Sequence, residues 1–157
     1  MGKNILKKSF GKTVQKFIRS HIFDIQPVCQ SIKAVYLFGS VLDANRFKTD
    51  SDIDIAFLVD RNLYKKDPLS ATSSSYLLAT EIGLRFDRQT DVTILNSASL
   101  ETAYQIIVTG ELIYEYDNNL RIEYEIALKG LYFDFKPFLN TLRSQHISRL
   151  KGNTHTL

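Results

Sequence analysis

From Phe10 onward the apolar positions Val14, Phe17, Ile18, Ile22 and Ile25 recur every three or four residues with basic residues between them. That spacing predicts an amphipathic helix, and Pro27 marks its expected end or kink. Ala34-Val35-Tyr36-Leu37-Phe38 is a short apolar run closed by Gly39-Ser40, which reads as a buried strand. After a polar stretch from Asp43 to Ser51, a second β-branched and aromatic run, Ile53 to Val59, predicts a second strand that begins inside an acidic cluster.

Lys65 to Ser75 is polar. Leu77, Leu78, Ile82, Leu84 and Phe86 then fit a second helix, with a cap expected at Ser73, Ser74 or Ser75. Asp91-Val92-Thr93-Ile94-Leu95 alternates like a third strand. Ser99 is placed to cap a helix through Ala103, Ile106 and Ile107 that stops at Gly110, and Leu112-Ile113-Tyr114 reads as a short edge strand. A last helix is expected from Asn119, its inner face formed by Tyr124, Leu128, Leu131, Tyr132 and Phe135, with a break or kink at Pro137.

Helices and strands thus alternate, α, β, α, β, α, β, α, without repeats or a Pro/Gly/Ser linker. The expected fold class is α/β (α+β): a mixed sheet flanked by helices, with a helical C-terminal extension. Residues 1–118 form the main unit, 119–150 a helical extension of the same domain, and 151–157 a polar tail expected to be disordered.

The 157 residues, 44% hydrophobic with ten Phe and eight Tyr, can bury a core without disulfides or a structural metal. Cys29 has no second cysteine to pair with and reads as a small buried hydrophobe, which suits a reducing compartment. No run approaches the roughly 20 apolar residues of a membrane helix. The start lacks a signal-peptide core, and Leu6 stands where myristoylation wants Ser or Thr, so a cytoplasmic location is expected. His21, His146 and His155 lie far from the acidic cluster in sequence, which argues against a zinc or histidine-based site.

The net charge is only +3, but it is unevenly spread. Six cations precede the first acid, Asp24, and every formal charge after Asp134 is positive, while Asp50, Asp52, Asp54 and Asp60 crowd the middle. Basic ends of this kind could hold a polyanion such as RNA, although a solvated helix face is the commoner use of such charge.

The chemistry concentrates at the strand ends. Asp52 and Asp54 are two apart on an extended backbone, so both carboxylates share one face while Ile53 and Ile55 take the other. Crowded carboxylates resist ionisation unless a cation joins them. Mg²⁺ takes hard oxygen ligands, often one or two protein carboxylates plus substrate phosphates, and Asp91, opening the third strand, is the natural third ligand. Three carboxylates could bridge two ions, one at the acceptor hydroxyl and one at the triphosphate. Gly39, lacking a side chain, would let the backbone approach a phosphate, and Ser40 would add a hydroxyl. Singly, a Gly-Ser after a strand is an ordinary turn and Asp-Ser-Asp an ordinary capping cluster; it is their combination that points to phosphoryl transfer.

Leu37-Phe38-Gly39-Ser40, Ser51-Asp52-Ile53-Asp54-Ile55-Ala56 and Thr90-Asp91-Val92 together resemble the Gly-Ser and Asp-x-Asp signature of DNA polymerase beta-like nucleotidyltransferases. The chain's size is similar to the minimal nucleotidyltransferase (MNT) group, whose members act as antitoxins beside HEPN-domain ribonucleases and adenylylate a tyrosine of the toxin. Gln105 to Glu115 and Asp134 to Leu139 resemble the closing helix, edge strand and final helix of those antitoxins. The resemblance implies ATP as substrate, Mg²⁺, a HEPN toxin as partner, and catalytic and metal-binding roles for Asp52, Asp54 and Asp91.

One departure stands out. Members of the group often carry Ala-Arg-Gly soon after the Gly-Ser, whereas this chain has Leu42-Asp43-Ala44-Asn45 in a loop one residue longer. Arg46 and Lys48 are the candidates to supply the missing cation near the phosphates, or are simply solvated. Other readings stay open: a module that neutralises the toxin by occlusion, or a nucleotidyltransferase acting on a small hydroxylated molecule or RNA. Tyr132, Phe133, Phe135 and Phe138 are more aromatic than a lone helix needs, through core packing or through contact with a partner.

Overall fold

A computed structural model describes residues 2–25 and 30–153, with side chains from residue 10 and up to 152. Pro27, Cys29 and His155 lie outside the described residues, as do the expected kink and buried thiol. The elements are α1 (Gly2–Ile25), β1 (Ile32–Phe38), a 3₁₀ turn (Gly39–Leu42), β2 (Ile53–Val59), α2 (Arg61–Lys66), α3 (Pro68–Phe86), β3 (Thr90–Ile94), α4 (Leu100–Thr109), β4 (Glu111–Glu115) and α5 (Asn118–Asn153). Strict alternation fails at two points: α2 and α3 are consecutive helices, and β1 and β2 follow each other with only the 3₁₀ turn and a loop between them and pair antiparallel.

The four strands form one mixed sheet in the order β3-β2-β1-β4, in which only β2 and β3 are parallel. Period-two alternation divides the core. Val35, Leu37, Ile53, Ile55, Phe57 and Val59 face α1 and α3, where they meet Val14, Ile18, Ile22, Leu78 and Ile82. Ala34, Tyr36, Ala56 and Leu58 face the other way and pack with Leu95, Ala103, Ile106 and Leu128, the side of α4 and α5.

Two expectations about helices are corrected. The helix expected from Leu77 starts nine residues earlier, at Pro68, capped by Asp67, whose carboxylate accepts from the Ser70 N–H. An Asp cap with proline in the first turn is a strong start signal. Ser74 and Ser75 are therefore buried inside α3, while Leu77 and Leu84 are exposed. At the other end, α5 runs without interruption through Pro137 to Asn153. Proline removes one N–H from a 36-residue ladder, and the bonds on either side outweigh that loss. The tail expected from Lys151 is thus helical as far as Asn153, and 154–157 lie outside the described residues.

Ser99 and Gly110 bound α4 as expected, the Ser99 hydroxyl accepting from the Thr102 N–H at 3.1 Å. The expected inner face of α5 is only half covered: Leu128 is buried and Tyr124 packs on the sheet, but Leu131 and Phe135 are exposed. The sheet ends before the helix does. Behind Tyr124, the Tyr36 hydroxyl donates to Glu125 at 2.7 Å, and Arg121 ties Glu125 to Glu115. Burial raises the phenol pKa of Tyr36 strongly, so this hydroxyl stays a donor. No helix among the described residues is long and apolar enough to cross a membrane.

Candidate active site

Asp54 lies directly opposite Asp91 in the parallel register of β2 and β3, and opposite Phe38 in the antiparallel register of β2 and β1. Its neighbours Ile53 and Ile55 are in the α1/α3 core, so its carboxylate emerges on the other face, towards α4 and α5. Asp91 follows the same logic. Thr90 donates its hydroxyl to Ala79 of α3 and Val92 packs on that side, which leaves Asp91 on the face of Asp54. Asp52, one residue before β2, completes an acidic end to the sheet; Asp52 and Asp91 are exposed and Asp54 is half-buried.

Gly39 sits against this cluster. Its φ is +72°, a conformation that side chains disfavour, and a β-carbon placed there would run into the carboxylate of Asp54. The glycine therefore keeps room for the Asp54 carboxylate. Ser40 is the second residue of the 3₁₀ turn that follows, and its carbonyl accepts from the Asp43 N–H.

Burial, then the proximity of Asp91 and Asp52, raises the pKa of Asp54. A half-buried carboxylate facing two others is a site short of positive charge. Hard oxygen donors are the ligand type Mg²⁺ takes, and it fills the rest of its octahedron with water and phosphate oxygens. Among the described residues no group of three His, Cys, Asp or Glu side chains is placed to hold a metal ion by itself. The other acids of the centre have other tasks. Asp60 caps α2 and pairs with Lys33 at 3.6 Å, far along β2, and the N–H of Leu63, with Lys33, holds its pKa below the usual value. Asp50 is an exposed loop residue.

Arg46 and Lys48 flank Phe47, which is buried and stacks on Phe10 with ring centroids 5.0 Å apart. Both cations are exposed, and among the described residues neither makes an ion pair with this chain's own acids. Phe47 anchors the loop, and Arg88 locks it. The Arg88 guanidinium lies over Phe47 and Phe10 and donates to the carbonyls of Lys48 and Ser51 at 3.0 and 3.2 Å. Arg88 thereby positions the segment that leads into Asp52. Its role has no local signature, since the contact spans 40 residues.

Next to Phe38, a recess of about 300 Å³ is lined by Phe38, Glu101, Thr102, Gln105, Ile106 and Thr109, on the same face as the carboxylates. A larger hollow of about 530 Å³, lined by Thr80, Gly83, Leu84 and Asp87 to Thr90, opens between the end of α3 and the start of β3. The smaller recess is the one that adjoins the chemistry. His21 stacks on Phe17 within α1 at 3.9 Å and His146 is exposed on α5, so neither reaches the acidic end.

This arrangement is that of a known family: residues 21–119 match Polymerase beta, Nucleotidyltransferase. The chain belongs to the polymerase beta nucleotidyltransferase family. The match spans β1 to β4 and so contains Gly39, Ser40, Asp52, Asp54 and Asp91. Among solved structures, the fold is similar to a chain of a toxin–antitoxin complex crystallised with AMP-PNP, at 20% identity and TM-score 0.62, covering 85% of this chain and 98% of that one. It is similar to a chain of the tri-AMPylated Shewanella oneidensis HEPN toxin in complex with MNT antitoxin, at 18% identity and TM-score 0.59, covering 87% and 98%. A chain of the MntA-HepT toxin–antitoxin complex matches at 17% identity and TM-score 0.55, covering 89% and 98%. No protein of curated function matches the chain significantly. The family makes this chain a nucleotidyltransferase, and the neighbours extend the shared fold over nearly its whole length.

Proposed function

We propose that this nucleotidyltransferase is a cytoplasmic MNT antitoxin that transfers AMP from ATP to a tyrosine hydroxyl of a cognate HEPN ribonuclease toxin and so neutralises it. The observation that carries the proposal is the register pair Asp54–Asp91 set against Gly39, in a chain whose fold neighbours are toxin–antitoxin complexes, one with AMP-PNP and one with an AMPylated toxin.

Asp52, Asp54 and Asp91 would hold Mg²⁺, two ions in the fullest form of the site. Bound there, the metal would neutralise charge on the triphosphate and favour ionisation of the acceptor hydroxyl. The turn at Gly39 and Ser40 would receive the phosphates, and Arg46 and Lys48, exposed and without intramolecular ion pairs among the described residues, are free to swing towards them. The apolar recess beside Phe38 offers space for the adenosine. In the transfer, the tyrosine oxygen bonds to the α-phosphorus, the bond from that phosphorus to the bridging oxygen breaks, pyrophosphate leaves, and the phenol proton passes to a carboxylate of the cluster. Most of the rate would come from positioning and charge neutralisation.

Incubation with labelled ATP, Mg²⁺ and a candidate cognate HEPN protein tests this. Mass spectrometry should place AMP on a toxin tyrosine. A toxin that is neutralised without acquiring label would instead identify a binding module acting by occlusion, a reading that the absence of Ala-Arg-Gly after Ser40 permits. Label appearing on RNA or on a small hydroxylated molecule would reassign the acceptor.

A further inference from the structure

Helix α5 is much longer than the body it packs on. At 36 residues it spans about 54 Å; Tyr132 stacks on Tyr104 of α4 with centroids 3.6 Å apart, and after it only Leu139 is half-buried among the described side chains. Beyond that, the Arg143 guanidinium pairs with Glu101 of α4. Every described side chain from Asn140 to Gly152 is exposed.

The apolar pattern does not stop where the body stops. Leu128, Leu131, Phe135, Phe138 and Leu142 follow one another at steps of three, four, three and four, which keeps them on one arc of the helix. The first is buried, whereas Leu131, Phe135, Phe138 and Leu142 are 51%, 49%, 57% and 46% exposed. Tyr132 and Arg143 turn to the adjacent arc that meets α4, so α4 does not cover the seam. Alternating steps of three and four are what a helix presents to another helix in knobs-into-holes packing.

Charge narrows the choice of occupant. From Leu131 to Asn153 the helix carries one acid, Asp134, against Lys136, Arg143, Arg149 and Lys151, of which Arg143 is tied to Glu101, so the segment stays positive. A second copy would bring the same sign against itself, whereas a helix with acidic flanks would be attracted and oriented.

We propose that the seam Leu131, Phe135, Phe138 and Leu142 is the docking surface for the partner protein, and that it receives an amphipathic helix of that partner whose apolar stripe is bordered by acids. The assignment rests on the toxin reading above and gives it a recognition surface distant from the carboxylates. Docking of a whole protein at α5 would hold its acceptor near the transfer site by proximity and not by a deep substrate cleft.

The test is titration calorimetry of the full chain with the HEPN protein, beside the transfer assay and light scattering of each chain alone. Phe138→Ala should weaken the complex about tenfold or more, and Phe135→Ser with Leu142→Ser should do so further, with thermal midpoints close to the parent's because these side chains are exposed. Lys136→Glu with Arg149→Glu should slow association and reduce its salt dependence. If the parent binds and labels the toxin and all variants do the same, the docking surface is wrong while the toxin reading stands. A parent that neither binds nor labels the toxin overturns both. A parent that is dimeric alone, and monomeric once Phe138 is changed, assigns the seam to self-association and overturns the proposal.

Discussion

The two faces of the sheet use the same strands for different ends. In β2 the odd positions Ile53, Ile55, Phe57 and Val59 are large and buried against α1 and α3, while the even positions read Asp54, Ala56, Leu58. The first face is filled by shape and carries no ionisable group along the strand. The second begins with carboxylates that gain nothing from packing and disfavour one another. Where a strand alternates cleanly, a single residue step separates the packed residues from those proposed to act, so substitutions on the two faces should separate stability from activity.

The largest effect is expected on the packed face. Phe57→Ala removes a fully buried ring, and losses of about 3–5 kcal/mol are usual for such truncations. Chemical denaturation should show it, while enzyme that remains folded keeps its rate per molecule. A stability change under 1 kcal/mol would mean that this face is plastic and the contrast between faces is overdrawn. Next comes the opposite face: Asp52→Asn with Asp54→Asn should lower transfer by about 10²–10³-fold or more, a loss typical for removal of charge-stabilising groups, without lowering the denaturation midpoint. Transfer that persists in the double variant would disconnect these carboxylates from the reaction.

That contrast was largely legible in the residues, because alternation is local: Ile53-Asp54-Ile55 states which side each residue takes before any fold is known. Ser99 and Gly110 were legible for the same reason, a cap being a contact within three residues. The start of α3 had an equally local signal in Asp67-Pro68, but the serines downstream competed with it, and small residues that pack inside a helix look like caps in a sequence. Pro137 predicts a break or a kink from one lost bond, and the long ladder around it rules out the break by keeping the helix continuous. Arg88 could not be read at all. Its targets, the carbonyls of Lys48 and Ser51, are backbone groups of a distant loop, and no side-chain pattern announces them. The exposed half of the α5 stripe is a related case, since periodicity reports which residues share an arc and not whether anything covers it.

Gly39 joins the two faces at their common end and should respond in both measurements. Gly39→Ala must place a β-carbon at φ +72° and against the Asp54 carboxylate, and strained positions of this kind cost on the order of 1–3 kcal/mol. Moving Asp54 should also weaken binding of ATP with Mg²⁺, seen by calorimetric titration. If stability falls and nucleotide affinity does not, the glycine serves only the turn.

The smallest effect is the most specific, and it compares the aspartates at the two ends of β2. Asp60, held below its usual pKa chiefly by the Leu63 N–H, with Lys33 contributing, stabilises the fold above the unfolded value, and that stability is lost as pH falls through its folded value. Asp54 has the opposite sign. Its folded pKa is raised above 3.8 by burial, Asp91 and Asp52, so the folded chain holds this proton more tightly than the unfolded chain does. The resulting stability is fully present below pH 3.8 and lost as pH rises through the folded value, leaving the metal-free chain weaker at neutral pH. Asp54→Asn cannot ionise, so it should be slightly more stable than the parent at neutral pH, and the difference should shrink on acidification. Mg²⁺ should recover part of that difference in the parent by offsetting the charge on the carboxylates, and should do much less for the variant. Thermal melts of both chains from pH 4 to 8, with and without Mg²⁺, give the comparison. Parallel curves for the two chains, unmoved by the metal, would show that Asp54 bears no unmet charge, and the physical case for a cation at this end of the sheet would go with it.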